Sequence, residues 1–169
     1  MPETVGDAAS KGSPAAPDRE VFASPGGRIV VGLDGSPESV QALRAAARLA
    51  EVTGAALDVL SVCTVPATIE FPETGFDGWN PPAETRANLE AILQQVFGAD
   101  RPQNLRTAVP QGNPAEEILR AAQGASMIAI GSRGHGALTG MLLGSVSIKC
   151  AAAAPCPVLI VHAPTNPGG

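Results

Sequence analysis

From residue 28 onward, the chain alternates short apolar runs with segments whose apolar residues recur at helical spacing. Nearly unbroken apolar runs are typical of strands that are buried on both faces of a parallel sheet. The runs predict five strands, at 28–33, 56–62, 105–109, 126–130 and 157–162. Because helical segments separate the strands, we expect an α/β fold with a doubly wound, five-stranded parallel sheet.

Residues that start and stop helices lie between these runs. Ser36 is a favourable N-cap, Pro37 suits the first helical position, and Gly54 is a typical stop. The predicted helices lie between Ser36 and Gly54, over about 83–97, between Asn113 and Gly124, and from near Ser145 to Pro155. Each of the first four strands is therefore followed by one helix.

Charge and cysteine content exclude several classes of protein. The net charge of −5 argues against a nucleic-acid partner. No apolar run approaches the ~20 residues of a membrane span, so no membrane association is expected. The three cysteines form no C-x-x-C pair, which argues against a zinc site. An odd cysteine count without a signal peptide favours a cytoplasmic protein whose thiols are small, buried apolar groups.

The termini differ in composition from the rest of the chain. Residues 1–26 are rich in Ala, Pro, Ser and Gly and show no hydrophobic period, which predicts a disordered N-terminal tail. We expect one domain over 27–163 and a short C-terminal tail over 164–169.

Two strand ends carry residues suited to ligand binding. Asp34 follows the first strand, where its carboxylate could accept ribose hydroxyls or hold a metal-bound water. Alternatively, it caps the turn formed by Gly35 and Ser36. The loop after the fourth strand contains five glycines within 131–144. Ligands of open α/β sheets lie outside the carboxyl ends of the strands, so both places are candidate sites.

The glycine-rich loop leads directly into the fourth predicted helix. The free N–H groups and the dipole of a helix start favour a phosphate group. Ser145 adds a hydroxyl there and Arg133 adds a positive charge from the loop. The sequence lacks G-x-x-x-x-G-K-[ST] and G-x-G-x-x-G, which argues against a P-loop or a dinucleotide fingerprint. A flexible surface loop is the alternative, but position and helix together favour phosphate binding.

The loop also resembles a known signature. The spacing Gly131-x2-Gly134-x9-Gly144-Ser145 matches the G-x2-G-x9-G-[ST] signature of the ATP-binding branch of the universal stress protein family. Residues 29–36, IVVGLDGS, are similar to the opening strand and aspartate of that family, and APCPVLIV at 154–161 is similar to its closing strand. The resemblance covers about 28–162.

The resemblance implies sheet order 3-2-1-4-5 and a homodimer joined through strand five, at Val158, Leu159, Ile160 and Val161. It implies ATP at the strand ends, often with Mg²⁺ or Mn²⁺, and AMP or cyclic AMP are the alternative ligands. By motif position it implies Asp34 on the ribose side, Val62 with backbone groups for adenine, and Gly131 and Gly134 along the ribose and phosphates. It implies Gly144, Ser145 and Val146 at the phosphates. The expected set of nucleotide-binding residues also includes Gly32, Arg133 and Ser147.

The expected function is that of a cytosolic, dimeric, ATP-binding module of stress regulation. A slow metal-dependent ATPase or phosphotransferase centred on Asp34 is the enzymatic alternative, and a nucleotide-free dimeric interaction protein is the third. We interpret Lys149 as a solvated surface residue and His135 as a solvent-exposed loop residue, although each could contribute to the site.

An acidic, aromatic insert over 64–85 separates the second strand from the second helix. It contains Phe71, Phe76 and Trp79, and its four acidic residues have no basic neighbour within the insert. A loop of this length is either functional or disordered, so we interpret it as a lid over the ligand or as a partly disordered crossover.

Overall fold

The fold is a parallel sheet with helices on both faces. The computed structural model describes residues 26–64, 81–135 and 142–163. The strands are β1 (Arg28–Gly32), β2 (Ala56–Leu60), β3 (Leu105–Ala108), β4 (Met127–Gly131) and β5 (Val158–Val161). All neighbouring strands pair in parallel, in the order β3-β2-β1-β4-β5. The predicted fold class and the predicted strand order are both confirmed.

Four helices connect the strands in the described ranges: α1 (Pro37–Thr53), α2 (Pro81–Phe97), α3 (Pro114–Ala121) and α4 (Ser145–Ala153). Ser36 caps α1 by accepting the backbone N–H of Ser39, and α1 ends where Gly54 adopts the left-handed conformation. The predicted start and stop of this helix are therefore confirmed. No helix in the described ranges has both the length and the apolar character needed to cross a bilayer.

Side chains that alternate along β1 build two cores. Ile29 and Val31 belong to the core beneath α1 and α2, whereas Val30 belongs to the core beneath α3 and α4. Each face of the strand is buried, which explains the unbroken apolar sequence. Cys150 is buried in the second core and Cys156 packs against it. Cys63 is buried as well. The interpretation as small, buried apolar groups is therefore confirmed for Cys63 and Cys150, whereas Cys156 is only partly buried.

Element boundaries differ slightly from the sequence prediction. Strand β2 ends at Leu60 rather than at 62, and α2 begins at Pro81 rather than near 83. Predictions for the tails and for most of the insert, including Trp79, concern residues outside the described ranges. The paired ends of β1 and β4 lie side by side at the centre of the sheet, where they position the candidate site.

Candidate functional site

The corner between β1 and α1 is organised around Asp34. Its Oδ1 accepts hydrogen bonds from the backbone N–H of Ser36 at 2.9 Å and from the Ser36 hydroxyl at 2.6 Å. Gly35 makes the turn possible because its φ is +89°, a conformation that L side chains rarely adopt. Asp34 Oδ2 accepts a longer hydrogen bond, at 3.3 Å, from the backbone N–H of His135. Asp34 therefore caps its turn and also contacts the glycine-rich loop.

These hydrogen bonds determine the ionisation of Asp34. Partial burial acts to raise the pKa of this carboxyl, but hydrogen bonds from the Ser36 hydroxyl, the Ser36 N–H and the His135 N–H outweigh burial. The pKa of Asp34 is therefore lowered from its ordinary value. Asp34 is a carboxylate at neutral pH and a weak proton acceptor.

Two glycines allow the strand ends to approach their neighbours closely. A Cβ on Gly131 would lie 2.7 Å from the backbone nitrogen of Ser39, and a Cβ on Gly134 would collide with Asp34 Oδ2. Glycine at these positions is therefore required by contacts within the protein itself. By contrast, a Cβ on Gly144 would make ordinary contacts, at 3.5 Å or more, so the fold alone does not require glycine there.

Arg133 is tied to the first turn of α1. Its Nη2 lies 3.1 Å from Oε1 of Glu38, whose side chain is mostly buried. The carbonyl of Arg133 accepts a hydrogen bond from the Ser36 hydroxyl at 3.3 Å. The guanidinium has five N–H donors and is half-exposed, so it can hold Glu38 and still offer donors to a ligand.

The start of α4 differs from the starts of α1 and α3. Gly144 occupies the N-cap position in an extended conformation, and no side chain in the described ranges caps the helix. The Ser147 hydroxyl donates to the carbonyls of Gly131 and Ser132, at 2.8 and 3.0 Å, and therefore anchors the helix to β4. An α-helix leaves its first N–H groups without partners inside the helix. Among the contacts of the described residues, the amides of the first turn of α4 are therefore available to an acceptor.

These elements surround one cavity of about 540 Å³. Cavities of this size are typical of small-molecule sites. It is lined by all ten of the nucleotide-binding residues expected from the sequence: Gly32, Asp34, Val62, Gly131, Arg133, Gly134, Gly144, Ser145, Val146 and Ser147.

Further lining residues were not predicted. They are Leu33, Ser39, Leu60, Thr64, Pro114, Ile118, Ile130, His135 and Ile148. Most are apolar and come from strand ends and from the first turns of α1 and α3, which the ends of parallel strands bring together. The interpretation of His135 was incomplete, because this exposed side chain also lines the cavity.

Lys149 lies outside the described cavity lining, although it belongs to α4. Its Nζ lies 2.8 Å from Oε1 of Glu116 at the protein surface. The hydrogen bond from Lys149 lowers the pKa of the Glu116 carboxyl. The interpretation of Lys149 as a surface residue is therefore confirmed.

Asp34 is the only carboxylate among the described residues that line the cavity. No group of three or more potential metal ligands exists within the described ranges. Mg²⁺ is usually held by one or two carboxylates together with substrate phosphates and water. The residues present are thus compatible with a metal ion that arrives with phosphates.

Comparison with known proteins assigns the family. A sequence model of the universal stress protein family matches residues 27–162, which is most of the chain. The chain belongs to the universal stress protein family. It is 35% identical over 147 residues to universal stress protein YxiE of Bacillus subtilis, an alignment that covers 80% of this chain and 98% of the relative.

Other relatives are longer. Universal stress protein Rv2005c of Mycobacterium tuberculosis is 32% identical over 139 residues, which cover 79% of this chain but 47% of the relative. This universal stress protein therefore spans about half the length of that relative.

Solved structures of other family members share the fold. A universal stress protein in complex with cAMP aligns with a TM-score of 0.59 and 24% identity, covering 82% of this chain and 98% of the neighbour. The universal stress protein from Archaeoglobus fulgidus in complex with dAMP aligns with a TM-score of 0.53 and 22% identity. The alignment covers 79% of this chain and 96% of the neighbour.

Proposed function

We propose that this universal stress protein binds an adenine nucleotide, with ATP as the first candidate, in the cavity between β1, β4 and α4. The observation that carries the proposal is the uncapped first turn of α4 at the edge of the cavity. Free amides and a helix dipole bind phosphate well. Two structural neighbours were solved with the adenine nucleotides cAMP and dAMP, which supports the same ligand class here.

The orientation of the nucleotide follows from the polarity of the lining. The phosphates would lie against Gly144, Ser145 and Val146, with Arg133 beside them. The ribose would lie near Asp34, because Oδ2 accepts only one weak hydrogen bond among the described contacts and can accept a hydroxyl. The base would lie at the opposite end, near Val62, where the described lining carries no charged side chain.

Gly131 and Gly134 would form the wall between ribose and phosphates, and Gly32 would form the floor beneath them. A triphosphate would extend farther along the α4 amides than a monophosphate does. We therefore rank ATP above AMP and cyclic AMP. Mg²⁺ or Mn²⁺ bound to the phosphates would use Asp34 as its protein carboxylate and would neutralise phosphate charge.

Nucleotide binding rather than rapid turnover is the activity that the site supports. A general base works best when its pKa lies near the operating pH. Hydrogen bonds lower the pKa of Asp34, the single carboxylate of the described lining, and so make it a poor base for activating water. This arrangement suits a module that senses or carries a nucleotide.

We further propose that the protein is a cytosolic homodimer joined through β5. This strand is an edge of the sheet, and its residues Val158–Val161 are only partly buried. Apolar edge strands are templates for pairing with another chain. Free thiols at all three cysteines are typical of a reducing compartment. Analytical ultracentrifugation of the purified protein tests the dimer, since a monomer at micromolar concentration would contradict it.

Isothermal titration calorimetry of the full chain tests the ligand. We expect ATP to bind with one site per chain, and we expect AMP, cyclic AMP and adenosine to bind more weakly in proportion to their lost phosphate contacts. Mass spectrometry of the denatured protein identifies any nucleotide that co-purifies. If none of the four compounds binds at millimolar concentration, the nucleotide proposal is wrong, and the chain is better explained as an interaction protein.

A further inference from the structure

Three contacts join the corner between β1 and α1 to the glycine-rich loop. The Ser36 hydroxyl donates to the carbonyl of Arg133 at 3.3 Å. Asp34 Oδ2 accepts the backbone N–H of His135 at 3.3 Å. Glu38 Oε1 accepts a hydrogen bond from Nη2 of Arg133 at 3.1 Å. The first two contacts hold the backbone of the loop, whereas the third holds a side chain that the loop presents to the cavity.

Glu38 lies behind the wall of the proposed nucleotide cavity. A Cβ on Gly131 would lie 2.8 Å from the Cβ of Glu38, so the first turn of α1 packs directly against the end of β4. Gly131 lines the cavity, whereas Glu38 is absent from the described lining. The Glu38 side chain is 11% exposed and extends from a helix, which leaves it little freedom to move. Its carboxylate is therefore a rigid acceptor outside the cavity.

Arg133 has the opposite surroundings. Its side chain is 44% exposed, belongs to a loop and lines the cavity. Its Cα lies 3.5 Å from the position of a Cβ on Gly144, so the residue lies beside the N-cap of α4. A long side chain that becomes ordered only when a ligand binds lowers the affinity by about twofold to tenfold. An arginine that is ordered before the ligand arrives therefore binds phosphate more strongly.

We propose that Glu38 is a positioning residue: it holds the Arg133 guanidinium in the cavity so that the remaining N–H donors face the nucleotide phosphates. The guanidinium has five N–H groups, and the contact with Glu38 is made by Nη2, so other N–H groups can donate to phosphate oxygens. Glu38 acts through Arg133 and does not touch the ligand itself. This inference rests on the proposed function, because it assumes that phosphates lie at the start of α4.

Substitutions at Glu38 can separate its reach from its charge. Glu38→Asp keeps the negative charge but withdraws the carboxylate by one methylene, so the 3.1 Å hydrogen bond to Arg133 is lost. Aspartate is favourable in a first helical turn, so this variant should fold. We expect its ATP affinity to fall about fivefold. Glu38→Gln keeps the length and an oxygen acceptor, so it should bind ATP within about twofold of the wild type.

The opposite pattern would overturn the proposal. If Glu38 acted only through its charge, Glu38→Asp would bind ATP like the wild type. Glu38→Gln would then bind ATP more tightly than the wild type, because one negative charge near the phosphates has been removed. Equal losses of affinity in both variants would likewise contradict positioning by reach.

A double-mutant cycle tests whether Glu38 acts through Arg133. Arg133→Ala should lower ATP affinity about tenfold, because charge-assisted hydrogen bonds to phosphate are lost. In that background Glu38→Asp should cause no further loss, since the side chain that Glu38 positions is gone. Additive losses would show that Glu38 supports the fold instead, and they would overturn the inference.

Glu117→Asp is the matched control. Glu117 is also a first-turn residue, with a side chain that is 11% exposed and pairs with Arg120, but it lies outside the described cavity lining. The ATP affinity of this variant should equal that of the wild type. Calorimetry measures the affinities, and circular dichroism checks that each variant is folded.

The failure of this inference differs from the failure of the proposed function. If the wild type binds no nucleotide, the proposed function is wrong. If the wild type binds ATP and Glu38→Asp binds it equally well, nucleotide binding stands and positioning by Glu38 is wrong.

Discussion

The first turns of α3 and α4 differ in what binds their backbone amides. At α3, Asn113 caps two amides, and Glu116 and Glu117 add negative charge to the first turn. At α4, Gly144 offers no side chain, no side chain of the described part of the chain caps the helix, and the first turn has no acidic residue. Both helices begin at the same edge of the sheet and contribute to the same cavity.

The difference separates structural helix starts from the proposed ligand-binding one. Capping satisfies the amides of a helix start and contributes to stability, whereas an uncapped start leaves that contribution to a ligand. Gly144 supports this interpretation, since a Cβ there would fit and the fold alone does not exclude a capping residue. The central claim is therefore that the first turn of α4 is left uncapped for a nucleotide phosphate.

Gly144→Asp should have the largest effect, because it converts the start of α4 into one like that of α3. The carboxylate would occupy the amides and repel phosphate, so we expect ATP affinity to fall by about 100-fold. Stability should rise by roughly a few tenths of a kcal/mol, since aspartate caps slightly better than glycine. Calorimetry and urea unfolding measure the two effects. Gly144→Asn, a neutral cap, should lose less affinity, and wild-type affinity in Gly144→Asp would contradict the claim.

Asn113→Ala makes the reverse change at α3. Loss of the cap leaves two amides without their partner, and we expect the free energy of unfolding to fall by about 1 kcal/mol. Ser145→Ala is the matched change at α4. Its effect on unfolding should be within about 0.5 kcal/mol, because α4 has no side-chain cap among the described residues. Urea unfolding without nucleotide compares the two variants. Equal losses in both would remove the distinction between the helix starts.

Acid should weaken the corner that holds the glycine-rich loop. The native pKa of Asp34 is lowered, so its carboxylate contributes stability above the unfolded-state pKa, and this contribution is lost as the pH falls through the native pKa. We therefore expect the stability difference between the wild type and Asp34→Asn to be constant near neutral pH and to shrink below about pH 4. Urea unfolding of both proteins, from neutral pH to below about pH 4, measures this stability difference. A stability difference that grows as the pH falls would show that the native pKa of Asp34 is raised rather than lowered.

Lys149→Ala should have the smallest effect. Lys149 belongs to α4, but it pairs with Glu116 at the surface instead of lining the cavity. We expect ATP affinity to stay within about twofold of the wild type, since exposed ion pairs contribute little. A large loss of affinity in calorimetry would mean that the charge of this lysine, rather than the amides of α4, holds the phosphates.

Periodicity and helix caps were sufficient to predict the parallel sheet from the sequence, whereas the strand order was implied by the family resemblance. Apolar runs buried on both faces, and residues such as Ser36 and Gly54, act locally and can be recognised without a structure. The boundaries of β2 and α2 were shifted by about two residues, because hydrogen bonding with neighbouring segments decides where an element ends.

The site was predicted as a set of residues but not as a set of contacts. The spacing of Gly131, Gly134 and Gly144 predicted where the cavity lies. It could not show that Gly131 is required by packing against α1, or that Gly134 is required by packing against Asp34. The ion pair between Glu38 and Arg133 joins residues that are far apart in the chain, so no local sequence pattern predicts it. The apolar contributions of Pro114 and Ile118 likewise depend on how α3 packs on the sheet.

Amide hydrogen exchange with and without ATP tests the central claim most directly. Without nucleotide, the amides of Ser145, Val146 and Ser147 should exchange rapidly, whereas those of Ala115 and Glu116 should already be protected by their cap. Saturating ATP should protect the α4 amides and leave the α3 amides nearly unchanged. Rapid exchange at all three α4 amides in the presence of bound ATP would contradict the account.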